Sequence, residues 1–349
     1  MIPASSKRTF SRQIIAIVFA SLPLCTVQSA QLERMQFLMG TTATVQVWGH
    51  DSTFCERALD AAFAELADVD HVMSTYKPDS QISRLNREGA TDWVKIDPRF
   101  YQVLQSATYY SDLTEGAFDI TLLPLMRLWG FRDGIPQIPH SDVLQATLRN
   151  VGSHHIYLHP NMPQVRFNQA NLQLDLGGIA KGYALDRAAG RLKALGATAG
   201  VLNLGGNFLT FGTRPETVVG IQHPKISDQL LGTFEIEHGS VATSGGYEKY
   251  VTINGKSYGH ILDPRTGTPA KGLISATVVA PTGTAADALA TALFVLGPQK
   301  GAHLLKTLDY TEGILAWDGE DGTLQVYISP GLQSTFHATD PDLLKTPRP

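Results

Sequence analysis

The sequence predicts an α+β fold: a single catalytic-size domain of mixed short strands and helices over residues 31–330, with room for two lobes. Helix-like and strand-like segments interleave without the regular strand–helix alternation of a doubly wound parallel sheet. No Pro/Gly/Ser-rich linker or shift in composition divides residues 31–330, and no repeat, heptad array or second hydrophobic span follows residue 30. At 349 residues and 43% hydrophobic, the chain is long enough for a large core.

The elements follow in order. Lys7, Arg8 and Arg12 precede an uncharged, mostly apolar run from Ile14 to Val27 and a small-residue exit at Ser29-Ala30. This is the pattern of an export signal peptide over residues 1–30, and the run is shorter than the ~20 apolar residues of a membrane span. Ser6-Lys7-Arg8-Thr9-Phe10-Ser11-Arg12 is similar to a twin-arginine signal with lysine in place of the first arginine, which leaves the export route open. Cys25 follows Leu24 where lipoprotein signals use a small residue, so lipidation is not expected. Loss of this segment leaves Cys55 as the sole cysteine, and the core rather than a disulfide must hold the domain.

Phe37–Trp48 alternates as a strand, and Thr53 with Glu56 forms a capping box before apolar residues at helical spacing from Leu59 to Met73. Asp97-Pro98 opens a helix that stops near Gly116. Ile179–Leu195 is a third helix, ended by Gly196. Short strands are expected at Val201–Leu204, Asn207–Phe211, Val218–Ile221 and Gly232–Ile236. Tyr250–Ile253 and Lys256–His260 flank Asn254-Gly255, a type I′ hairpin signal. A strand at Ile274–Ala280, an apolar helix from Ala285 to Leu296, and strands at Tyr310–Trp317 and Leu324–Ile328 complete the domain. Residues 331–349, rich in Pro and Thr, are expected to be a loose tail.

A formal net charge of −4 with no basic excess excludes nucleic acid as a partner class. Chemistry concentrates elsewhere. On the last helix Asp287 and Thr291 stand four residues apart and share a face, two hard oxygen ligands of the kind Mg²⁺ takes. An aspartate on an apolar helix is also a common structural carboxylate, so the pair alone decides nothing. Four glycine-rich segments add weight: Met39-Gly40-Thr41-Thr42, Leu174–Gly182, Leu202–Asn207 and Thr243–Gly246. Glycine lets backbone approach a ligand and frees amides for phosphate oxygens, and Gly177-Gly178 directly precedes a helix N-terminus. The spacing fits neither a Walker loop nor a Rossmann fingerprint. Phe118 and Asp119, in Gly116-Ala117-Phe118-Asp119-Ile120-Thr121, have the residue types to stack on a flat ring and accept from it, or else to close a helix with Phe118 in the core. Tyr76 lies in a loop suited to stacking on an aromatic ligand, and His260 is an isolated histidine in a turn.

Taken in order, M-G-T, S-T-Y-x-x-x-S, G-A-F-D-I-T, D-L-G-G-I-A-K-G-Y-A-x-D, N-L-G-G-N, S-G-x-Y, H-I-L-D-P-R-T-G and D-A-L-A-T-A resemble the ApbE family from Met39 to about Leu296. That family comprises flavin transferases that move FMN from FAD onto a Thr or Ser side chain of a target protein. The resemblance implies that Met39, Tyr76, Ala117, Phe118 and Asp119 cradle FAD, with Gly177, Tyr183 and Ile261 also at the cofactor. It implies Mg²⁺ on the Ala180 carbonyl, Asp287 and Thr291, and His260 as the catalytic base. Tyrosine at position 76 favours transfer over hydrolysis of FAD.

The resemblance further implies a phosphoester product with AMP release and an exported or membrane partner, of respiratory redox or ion-pump type, carrying a Thr/Ser acceptor motif. A periplasmic location follows from the export signal, and loose membrane association is compatible with it. The acceptor pattern Asp-Gly-x-Ser/Thr-Gly-Ala/Ser-Ser/Thr is absent here, since Asp318-Gly-Glu and Asp321-Gly-Thr-Leu both fail it. The rival readings are an FAD pyrophosphatase releasing FMN and AMP, and a non-catalytic flavin-binding or chaperone protein.

Overall fold

A computed structural model describes residues 30–213, 217–246 and 250–341; residues 1–29 of the expected export signal lie outside the described residues. Alternation at positions 43, 45 and 47 buries Ala43, Val45 and Val47 completely in strand β2 (Thr41–Gly49). This strand pairs antiparallel with β1 (Ala30–Leu38) through a Met39-Gly40 turn with φ of 52° and 73°. The strand expected at Phe37–Trp48 is therefore the second arm of a hairpin, whose first arm starts at the last residue assigned to the signal peptide.

Helix α1 (Ser52–Met73) is capped by Asp51, which accepts from Phe54 N at 2.7 Å, and not by a Thr53/Glu56 box. Next come α2 (Gln81–Glu88), β3 (Val94–Lys95) and α3 (Pro98–Leu113), the last with Asp97 as N-cap and proline at its start, as expected. Four short elements occupy a region where periodicity shows little: α4 (Leu123–Leu128), α5 (Ser141–Leu148), β4 (Ile156–Leu158) and β5 (Gln164–Phe167). Helix α6 (Ala180–Leu195) ends at Gly196, whose φ of 98° suits glycine.

The remaining chain supplies most of the sheet. It runs β6 (Ala199–Leu204), β7 (Asn207–Gly212), β8 (Thr217–Gln222), β9 (Leu230–Ile236) and β10 (Gly239–Gly245). The hairpin β11 (Tyr250–Ile253) and β12 (Lys256–Gly259) turns at Asn254-Gly255, both with positive φ, as the sequence predicts. Then follow β13 (Leu262–Asp263), β14 (Thr268–Pro269), β15 (Ser275–Ala280), α7 (Gly283–Leu305), β16 (Glu312–Asp318), β17 (Leu324–Ile328) and β18 (His337–Ala338). Helix α7 continues past Leu296 across a kink at Gly297-Pro298, where the glycine φ is 80°.

Eight strands form one antiparallel sheet in the order β1-β2-β6-β7-β10-β15-β16-β17. Helices α1, α6 and α7 pack on one face, burying Val45, Leu202, Ala276 and Val278. On the other face a three-stranded sheet of β8, β9 and β18 packs Phe234 and Ile236 against Val241, Ile314 and Val326. Strand pairing and packing continue beyond residue 330: β18 pairs with β9, and Phe336 is 5% exposed. The loose tail expected from Gly331 thus holds structure through Pro341, because Phe336 completes the second core; residues 342–349 lie outside the described residues. No described helix is long and apolar enough to cross a membrane.

Candidate active site

The site is built where α6 and α7 begin. Their first turns cross at two glycines: a Cβ on Gly182 would lie 2.0 Å from the Gly283 carbonyl oxygen, and one on Gly283 would lie 2.3 Å from that of Gly182. Only glycine permits this approach. Asp186, one turn along α6, accepts from Gly283 N (2.6 Å), Thr284 N (2.8 Å) and Thr284 Oγ1 (2.6 Å), fixing one helix on the other. Burial pushes the Asp186 carboxyl above its ordinary pKa, against the lowering effect of these hydrogen bonds.

The crossing brings Asp287 and Thr291 to the first turn of α6. Asp287 Oδ2 accepts from Gly182 N at 2.9 Å, and a Cβ on Gly178 would be 3.0 Å from Thr291 Oγ1. Ala180, between those glycines, therefore belongs to the same small region. Asp287 is 5% exposed, and none of the ion pairs among the described residues includes it. A buried carboxylate in that state calls for a cation. The donor set of one carboxylate, one hydroxyl and one carbonyl is all oxygen and fits Mg²⁺. It contains a single acidic ligand, and no group of three His, Cys, Asp or Glu placed to hold a metal occurs among the described residues.

The four glycine-rich segments converge on these helix starts. The Met39-Gly40-Thr41 turn meets the Gly205-Gly206 turn, where Gly205 N donates to Thr42 O at 3.0 Å. Asn207, beyond that turn, accepts from Lys181 Nζ at 3.2 Å, and Lys181 lies in the first turn of α6. Ser244 Oγ lies 3.3 Å from Thr291 Oγ1. Gly259 lies beside Gly246, and Ile261 packs against the α7 core, so His260 joins these two points along the chain. The Trp129 indole N–H donates to Gly267 O at 2.8 Å and pins the loop that follows.

The expected FAD residues divide. Tyr76 is 74% exposed and open to a ring. Gly177 donates its N–H to Asp175 Oδ1 at 2.8 Å. Ala117 and Phe118 are buried, and the Phe118 ring belongs to the main core, with its edge 3.2 Å from a Cβ built on Gly178. Phe118 is thus 2% exposed, as its core reading expects. Asp119 accepts from Thr121 N and Oγ1 and from Ser153 N and Oγ at 2.6–3.0 Å, tying two loops together. Tyr183 is 8% exposed in the main core, and burial raises its phenol pKa.

A cavity of ≈ 410 Å³ opens beside Gly116 and Asp119, walled also by Asp112, Glu115, His154 and Arg265. Arg265 is paired with Asp263 at 2.8 Å, so the carboxylates dominate and the cavity does not suit a phosphate. Sequence reasoning missed Gly283, Asp186, Ser244 and Arg132. Gly182, Asp186 and Ser244 stand in motifs already noted, whereas Gly283 precedes the D-A-L-A-T-A motif and nothing local marks Arg132.

The ApbE family model matches residues 39–315. The chain belongs to the ApbE family. Among its ApbE relatives, the FAD:protein FMN transferase of Treponema pallidum is 32% identical over 295 residues, covering 79% of this chain and 82% of that protein. That of Haemophilus influenzae is 33% identical over 307 residues, covering 83% and 88%. The crystal structure of the ApbE protein of Thermotoga maritima superposes with a TM-score of 0.79 at 28% identity, covering 88% of this chain and 99% of the other. The apo flavinyl transferase ApbE of Pseudomonas stutzeri gives 0.79 at 28%, covering 89% and 98%. The single α+β domain is thus the ApbE fold.

Proposed function

We propose that this ApbE-family chain transfers FMN from FAD to a Thr or Ser hydroxyl of an exported or membrane partner protein, in an Mg²⁺-dependent reaction that releases AMP. The observation that carries it is Asp287: a buried carboxylate with no cationic partner among the described residues, beside Thr291 and the start of α6. The relatives' names supply the substrate class.

Asp287, Thr291 and the Ala180 carbonyl would hold Mg²⁺, which when bound neutralises charge on the pyrophosphate and the departing AMP. The exposed Tyr76 ring binds the flavin ring by stacking. The Gly177-Gly178 turn admits the pyrophosphate close to backbone, and the positive end of α6 favours its charge. His260 accepts the proton of the acceptor hydroxyl as that oxygen attacks the FMN phosphorus, a general-base role open to an imidazole. The rest is positioning, since the nucleophile comes from the partner. We place this chemistry in the periplasm, after export of the folded or unfolded chain.

The test incubates the Ala30–Pro349 protein with FAD, Mg²⁺ and a co-exported protein bearing the acceptor pattern. Flavin fluorescence on a denaturing gel and AMP release are read together. A labelled acceptor band with AMP supports transfer. Free FMN and AMP with a competent acceptor unlabelled would establish the pyrophosphatase instead, and FAD bound but unchanged would establish a carrier.

A further inference from the structure

Arg132 has no part in the chemistry above, yet its placement demands a reason. It lies in the loop between α4 and α5 and is 4% exposed, while the residues after it are open to solvent. Its guanidinium carbon is 3.3 Å from the centroid of the Tyr76 ring, whose residue is 74% exposed. One face of that ring is therefore covered by a cation and the other is open. Arg132 Nη1 donates to Thr75 Oγ1 at 2.9 Å and lies 3.7 Å from Asp175 Oδ2. Thr75 Oγ1 in turn donates to Asp175 Oδ2 at 3.1 Å, and the other Asp175 oxygen holds Gly177 N. Arg132 Nε is 3.4 Å from an Asp133 oxygen but makes no hydrogen bond.

A buried guanidinium with an unbonded N–H is costly, and an apolar side chain of similar size would pack there at lower cost. What Arg132 provides instead is a planar cation against an aromatic face and a link to the turn that begins α6. We propose that Arg132 is a positioning residue: it backs the Tyr76 ring and, through Asp175, ties it to the Gly177 turn, so that the stacked ring of FAD is held in fixed register with its pyrophosphate. The ligand named here rests on the FMN-transfer reading.

The experiment is a double-mutant cycle on FAD affinity, read by quenching of flavin fluorescence and by the shift of the flavin absorbance band. Arg132→Lys keeps the charge and loses the planar stack; Tyr76→Leu alters only an exposed ring. Arg132→Lys is expected to weaken FAD binding roughly three- to tenfold and to reduce the absorbance shift. In the Tyr76→Leu background the same change should cost almost nothing, because its effect passes through the ring. Equal losses in both backgrounds, or no loss in either, would overturn the proposal and leave the FMN-transfer reading standing. Absence of FAD binding by the unaltered protein would defeat the transfer reading itself, and this proposal with it.

Discussion

Few residues decide the site, and each does so through what surrounds it. Thr291 Oγ1 has only long contacts, 3.3 Å to Asp287 O and 3.3 Å to Ser244 Oγ, so its place is weakly required by the fold. Thr291→Val, close to isosteric, should leave folding intact while lowering turnover by roughly 10–100-fold and raising the Mg²⁺ concentration needed, in a titration of AMP release. The Asp287/Thr291 pair is legible in sequence because four residues are one helical turn. Arg132 and Phe118 are not: what each side chain meets comes from segments tens of residues away, and Phe118 has the composition of either a stacking residue or a core one.

Between elements, the α6–α7 crossing carries the geometry. Gly182→Ala would drive a methyl group into the Gly283 carbonyl and to 2.8 Å from Asp287 Cβ. The helices must part, so urea unfolding should show a loss of about 1–3 kcal/mol together with loss of turnover. Gly190→Ala in the same helix meets nothing within 4 Å and should instead stabilise by about 0.5–1 kcal/mol. The N-cap of α3 gives a pH signature. Hydrogen bonding from Arg99 lowers the Asp97 pKa below 3.8. Its contribution is complete above that value and is lost as pH falls through the depressed pKa. Asp97→Asn keeps the cap and should flatten this part of the stability curve on the acid side of the ordinary carboxylate range, measured by chemical denaturation. The long helices and the Asn-Gly hairpin are plain in sequence, because caps and period are local. Strand β1 is not, since much of it is exposed at the sheet edge, and β10 is not, since Val241 and Ala242 are both buried, one toward each core. Helix α5 buries no residue fully, which leaves its apolar stripe weak.

At the scale of the molecule, one sheet separates two cores with different duties. The helix face carries the candidate site; the core under β8, β9 and β18 lies across the sheet from α7 and includes none of the candidate site residues. Phe234, 1% exposed in that second core, makes the distinction measurable. Phe234→Ala should cost about 3–5 kcal/mol in unfolding free energy and leave FAD affinity of the folded protein unchanged. Fold class and the single domain are readable from the irregular mixture of elements. The second core's closure by residues after 330 is not, because Phe336 is an isolated apolar residue among polar ones.

The most direct test of the central claim, that the start of α6 and α7 forms an oxygen metal site, is the Mg²⁺ dependence of AMP release from FAD in the unaltered protein and in Asp287→Ala. Saturable dependence on Mg²⁺, lost in the variant at a retained unfolding midpoint and retained FAD binding, is the result this account predicts. Turnover of the unaltered protein that is indifferent to Mg²⁺ and chelator, or an Asp287→Ala variant with an unchanged Mg²⁺ titration, would contradict it.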